Sequence, residues 1–169
     1  MWYVLWTNTG QEEKTRQWIY QYVDSALYTR CAIPYRLKKH YYKGQSRIVK
    51  LLLFPSYVFV ETDQIEEFVN NIKWFPGFNV VLHMGDIYCP VYEHEEIILT
   101  RLIAENDVID ISTGYMEGDK VHILSGPLNG MEGQIKKVKP RQGVAILEMC
   151  FFNRTAEVSL GLELIEKRN

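Results

Sequence analysis

Between Asp24 and Glu61 the sequence holds no carboxylate, yet Arg30, Arg36, Lys38, Lys39, Lys43, Arg47 and Lys50 all fall in that interval. Tyr41 and Tyr42 sit inside the run. Cations interleaved with rings that can stack suit a single-stranded or distorted nucleic acid. A solvated loop would carry the same charges, but no acid neutralises these, so they set up a positive field locally on a chain of net charge −2. A second acid-free stretch, between Glu132 and Glu148, holds Lys136, Lys137, Lys139 and Arg141, and Arg154 follows. Lys38, Lys39, Lys43 and Arg47 are therefore candidate nucleic-acid contacts, as are Lys136, Lys137, Lys139, Arg141 and Arg154. On a strand Lys136 and Lys137 point to opposite faces, so the second set does not share one surface.

The second candidate group is apolar: Trp6, Phe54, Tyr57 and Phe59. Taken singly, aromatics in and near strands are core fillers. As a group they exceed what one face of one strand can bury, because neighbouring positions alternate between faces. Catalysis finds no support. No nucleophile elbow or triad pattern occurs. Gly126, Gly130 and Gly133 lack the Lys-Ser/Thr and helix of a phosphate loop. His40, His83, His94 and His122 show no metal-ligand spacing, and no metal or cofactor is expected. Cys31, Cys89 and Cys150 are odd in number and widely spaced, which points to reduced thiols in the cytoplasm.

These residues need elements to hold them. Hydrophobic residues make up 47% and aromatics 13%, which supports a packed core; no apolar run is long enough to cross a membrane, and no signal peptide is read. Residues 2–7 read as a buried strand. Thr9 and Glu12 have capping-box spacing, and the apolar recurrence after them predicts a helix over about 10–26. Cys31 to Tyr35 is a short strand, Lys38 to Gln45 an exposed hairpin tip, Arg47 to Leu51 its return, and Phe54 to Glu61 a strong strand. Asp63 and Glu66 open a second helix lined by Ile65, Phe68, Val69 and Ile72, ended by Pro76-Gly77. Strands follow at Phe78 to His83 and Ile87 to Pro90, then a third helix from Glu93 to Glu105 with Ile97, Ile98, Leu102 and Ile103 inward. This interleaving gives an α+β fold with helices on a mostly antiparallel sheet over residues 1–105. Periodicity lapses over 106–117, read as a linker. From 118 to 169 only short strands appear: Lys120 to Leu124, Gly133 to Val138, Val144 to Met149, Thr155 to Ser159 and Leu162 to Ile165. They predict a small all-β barrel.

Both halves resemble parts of the NusG family of transcription elongation factors. The first is similar to its N-terminal (NGN) domain in Trp2-Tyr3-Val4 with Thr9-Gly10-Gln11-Glu12, in Leu53-Phe54-Pro55-Ser56-Tyr57-Val58-Phe59-Val60-Glu61, and in Pro76-Gly77 before a strand. The second is similar to the SH3-like KOW module in Gly118-Asp119-Lys120-Val121, Ser125-Gly126-Pro127, Gly133-Gln134-Ile135 and Phe152-Asn153-Arg154 leading to Val158 and Leu162. The resemblance implies a non-catalytic monomer in which Trp6, Phe54, Tyr57 and Phe59 dock on the clamp helices of RNA polymerase's largest subunit. It implies contact of Asn70-Asn71 with the opposite lobe, nucleic-acid contacts to nascent RNA or to upstream or non-template DNA, and no membrane association. Ser56 stands where the housekeeping pattern has glycine. With the basic Arg36 to Arg47 hairpin, this makes the chain resemble specialised LoaP-like paralogs, whose partner is an RNA hairpin. The alternatives are a housekeeping member whose KOW module binds Rho or ribosomal protein S10, and an RNA-binding or ribosome-associated KOW protein with no polymerase role.

Overall fold

The computed structural model describes residues 1–76, 78–81, 83–103, 106–151 and 154–166, with backbone alone at 78–80, 151 and 154. Gly77, Leu82, Glu105, Phe152 and Asn153, which fall in expected elements or motifs, lie outside the described residues, as does the Arg154 side chain. In chain order the elements are β1 (Trp2–Thr7), α1 (Glu12–Tyr22), β2 (Arg30–Ala32), β3 (Tyr35–Tyr42), β4 (Gln45–Leu52), β5 (Tyr57–Glu61), α2 (Ile65–Ile72), β6 (Phe78–Val81), β7 (His83–Met84), β8 (Ile87–Tyr88), α3 (Glu93–Leu102), β9 (Val108–Ile109), β10 (Ser112–Glu117), β11 (Lys120–Ser125), β12 (Ile135–Lys139), β13 (Val144–Phe151) and β14 (Arg154–Leu164). They form two compact units: Met1–Ile33 with Phe54–Leu99, and Pro34–Leu53 with Thr100–Asn169.

The first unit is built on an antiparallel sheet of order β2-β5-β1-β6. Trp2 to Leu5 and Val58 to Val60 are buried at consecutive positions, because central strands are covered on both faces. Burying each such side chain contributes about 1.5–3 kcal/mol. α1 faces the sheet through Thr15 and Ile19, with the Thr15 hydroxyl 3.2 Å from that of Thr7. The expected Thr9 cap does not form. Gln11 is the N-cap residue without a side-chain bond, and the Thr9 hydroxyl meets Ser56 instead. α2 buries Phe68 and Ile72, one turn apart, with Tyr28 edge-on to Phe68. Its entry is fixed by Thr62, whose hydroxyl accepts from the Gln64 N–H (2.9 Å) and donates to the Leu27 carbonyl (2.6 Å). Asp63, the expected cap, lies at the surface beside the N-terminal ammonium. In α3 the buried positions are Glu95, Leu99 and Leu102, with Ile103 just beyond, while Ile97 is 66% exposed. Residues 95, 99 and 102 follow the helical repeat, and Ile97 lies off that stripe.

The second unit has a five-stranded sheet of order β11-β10-β14-β13-β12 and a three-stranded sheet of order β4-β3-β9. Ala145, Leu147 and Met149 alternate inward along β13 and meet Val158, Leu160 and Leu162 of β14 in the core. Two expectations change. The stretch 106–117, expected to be irregular, contains β9, which pairs in parallel with β3, and β10, which pairs with β11 and β14. Short polar strands paired on both sides carry no periodicity to read. The two expected final strands are one, β14, which passes from antiparallel pairing with β13 to parallel pairing with β10. Gly161 is not a turn within it. A Cβ there would collide with the carbonyl oxygen of Leu37 in β3, so the glycine admits a close backbone approach. Among the described residues no helix is long and apolar enough to cross a membrane.

Candidate nucleic-acid interface

β3 and β4 form a ribbon paired from Tyr35↔Leu52 to Tyr42↔Gln45. It closes on the two residues Lys43 and Gly44, both at positive φ (47° and 77°), the conformation a two-residue hairpin turn requires. This tight turn fixes which side chains share a face. Arg36, Lys38, His40 and Tyr42 lie with Leu51, Val49, Arg47 and Gln45; Tyr35, Leu37, Lys39 and Tyr41 lie with Leu52, Lys50, Ile48 and Ser46. The faces differ in what occupies their cations. On the second, Lys39 is ion-paired with Glu163 of β14, a hydrogen bond that raises its pKa, and the Lys50 ammonium sits 4.1 Å from the Tyr35 ring centroid. On the first, His40 stands directly across from Arg47. Burial holds the Arg36 guanidinium below the ordinary arginine value, and its Nη1 is buried without a hydrogen-bond acceptor. At the tip of the ribbon, His40, Tyr42, Gln45, Ser46 and Arg47 line an open cleft of about 280 Å³.

Of the expected ribbon contacts, Lys38 and Arg47 share the first face, Lys43 is in the turn beside the Tyr42 ring (5.3 Å), and Lys39 is held by Glu163. The sequence pointed to Tyr41 and Tyr42 alike as stacking rings, and the register puts only Tyr42 on the face of Lys38 and Arg47, with His40 and Gln45 beside it. The signal was available in Lys43-Gly44, since a two-residue turn dictates the register and with it the face of every side chain.

In the five-stranded sheet, Glu148 of β13 stands directly opposite Glu157 of β14. Lys136 bridges them, at 2.7 Å from Glu148 and 3.0 Å from Glu157, and those hydrogen bonds raise its pKa. Like charges facing across a ladder repel, so Lys136 acts as their counter-ion. Lys137 and Arg141 are exposed and Lys139 half-buried.

The apolar group separates in the same way. Trp6 of β1 and Tyr57 of β5 are a cross-strand pair; Trp6 is 40% exposed and Tyr57 half-buried. Phe54 and Phe59, expected beside them at the surface, are 8% and 0% exposed. Pro55 and Ser56 make the chain turn, closed by the Tyr57 N–H donating to the Phe54 carbonyl (3.2 Å), and this lays the Phe54 ring against Phe59, centroids 5.5 Å apart. Ser56 has φ 74°, the positive φ that the third position of a type II turn requires. Its N–H donates to the buried Glu12 carboxylate (2.7 Å), its carbonyl accepts from Thr7 (2.8 Å), and its hydroxyl meets Thr9 (2.6 Å). Asn70 and Asn71 bond locally, to Lys73 and to the Glu67 carbonyl. Within neither unit do three metal-ligating side chains converge among the described residues. Cys31, Cys89 and Cys150 form no disulfide among the described residues.

One α+β unit and one sheet-rich unit, interleaved along the chain, define a two-unit α+β protein. Residues 1–100 match the family model described as "Transcription termination factor nusG", and the chain belongs to the NusG family. The transcription termination/antitermination protein NusG of Bacillus subtilis is 27% identical, over 98% of this chain and 97% of its own. The protein of that name from Thermus thermophilus is 22% identical with the same coverage. The solved structure described as "Domain interaction in Thermotoga maritima NusG" matches with a TM-score of 0.59 and 27% identity, covering 95% of this chain and 92% of that one.

Proposed function

We propose that this protein is a non-catalytic elongation and antitermination factor that docks on the clamp helices of RNA polymerase's largest subunit and binds nucleic acid through its basic ribbon and sheet-rich unit. One observation carries the docking reading: the Trp6–Tyr57 pair, apolar and partly open to solvent at the end of a sheet that is otherwise packed. Aromatic anchors of this kind supply most of the energy of helix recognition. Phe54 and Phe59 act behind them, setting the turn that presents Tyr57. Pause suppression then follows from binding the elongating state more tightly than the paused one. A pull-down of polymerase with wild type and with Trp6→Ala/Tyr57→Ala tests this; equal retention of both would remove the docking role.

The specialised, LoaP-like reading is supported by Ser56 in a left-handed position and by the cations of the ribbon. It expects pause suppression to depend on a structured leader RNA. Lys136, neutralised between Glu148 and Glu157, favours the other family reading for the sheet-rich unit, in which Rho or ribosomal protein S10 is the partner. Lys137, Lys139 and Arg141 are then the cations left for RNA. Gel shifts with leader RNA and with each protein partner separate the two.

A further inference from the structure

The two faces of the β3–β4 ribbon are unequal, and the inequality specifies a ligand. The face carrying Lys39 and Lys50 is committed within the protein, to Glu163 and to the Tyr35 ring. The opposite face presents Arg36, Lys38, His40 and Arg47, and the sequence supplies no carboxylate from residue 25 to residue 60 to neutralise them locally. Side chains on one face of a strand recur about every 6.6 Å, so the strip extends from Arg36 to the tip in steps suited to an extended polyanion.

The cleft at the tip adds more than charge. Tyr42, 65% exposed, offers a ring face. Gln45 offers an amide with both donor and acceptor, and Arg47 and His40 nitrogen donors. An acidic peptide would use the cations and leave the ring and amide idle. A planar heterocycle with donors and acceptors on its edge uses all of them.

We infer that this cleft takes one base of a single-stranded nucleic acid against Tyr42, while Arg47 and Lys38 on the same face hold the flanking phosphates. The inference rests on nucleic-acid binding by the ribbon and narrows it to one face, one strand and one ring. In a duplex the base faces are stacked on each other, so Tyr42 has nothing to cover, and the ribbon discriminates single strand from double.

The test measures binding of the full chain, by fluorescence anisotropy over a range of salt, to a labelled single-stranded oligonucleotide of about a dozen nucleotides, as RNA and as DNA, and to the matching DNA duplex. The expected result is preference for either single strand over the duplex. Tyr42→Ala weakens single-strand binding by about tenfold and leaves duplex binding unchanged. Lys38→Gln/Arg47→Gln lowers the single-strand salt slope by about 1.4. Lys39→Gln has the wild-type affinity. Tighter binding of RNA assigns the cleft to the transcript, and of DNA to the displaced strand. Equal effects of Tyr42→Ala on single strand and duplex, or no effect on either, overturn the inference while nucleic-acid binding by the ribbon stands. Failure to bind any strand at low salt overturns both.

Discussion

The carboxylate of Glu12 accepts from the backbone N–H of Ser56 at 2.7 Å, and with its other oxygen from that of Gly10 at 2.7 Å. Glu12 is only 2% exposed and opens α1, where a negative charge also favours the helix dipole. One buried side chain thus ties the loop after β1 to the turn before β5, the two segments flanking Trp6 and Tyr57.

Removing that tie leaves two backbone donors without a charged acceptor. Glu12→Ala is expected to lower stability by about 2–4 kcal/mol, and Glu12→Gln, which keeps one acceptor oxygen, by roughly half as much. Urea denaturation checks both. A loss under about 0.5 kcal/mol for the alanine variant would mean that water replaces the carboxylate.

Ser56 holds φ 74° with a side chain, at a cost of about 1–2 kcal/mol that glycine would avoid. Its hydroxyl bond to Thr9 and its stiffer unfolded chain return about that much. Ser56→Gly is therefore expected within about 1 kcal/mol of wild type, and Ser56→Val, branched at a position that rejects it, at least about 2 kcal/mol less stable. In a double-mutant cycle, Thr9→Ala costs stability beside Ser56 and nothing beside Gly.

The aromatic group splits in its response to truncation. Phe59→Ala empties a fully buried site and is expected to cost about 3–5 kcal/mol. Trp6→Ala and Tyr57→Ala, at partly open positions, move the melting temperature far less and carry the loss of polymerase retention. Thermal melts beside the pull-down separate the two. A polymerase defect in Phe59→Ala that persists at temperatures where it is fully folded would place Phe59 in the interface after all.

Lys136 keeps Glu148 and Glu157 from repelling each other. Lys136→Gln is expected to melt below wild type at low salt, with the gap closing as salt is added, because screening weakens the unmasked repulsion. The pH dependence has a definite sign. The folded pKa of Lys136 is raised above 10.5, so its contribution is fully present below pH 10.5 and is lost as pH rises through the folded value. Melts of wild type and Lys136→Gln across that window should converge; a constant difference would mean that charge is not the cause.

The sequence by itself determined the kinds of element and the charge pattern. Period and composition mark β1, α1, α2, β5 and β13, because a side chain's hydrophobicity reports its burial wherever one element has a constant environment. The acid-free run from 25 to 60 and the motifs around Leu53 to Glu61 are equally local, and those motifs carry the family resemblance that the match over residues 1–100 establishes. Tertiary structure alone decided the rest, because each remaining property depends on a partner distant in sequence. Phe59 is core and Trp6 is surface though both are strand aromatics, since the turn at Pro55-Ser56 brings Phe54 over one and nothing comparable over the other. Lys39 is occupied and Lys38 is not, since strand alternation points one of them at Glu163, 124 residues further on. Gly161 continues a strand that looked like two, because the backbone of Leu37 needs the space its side chain would fill.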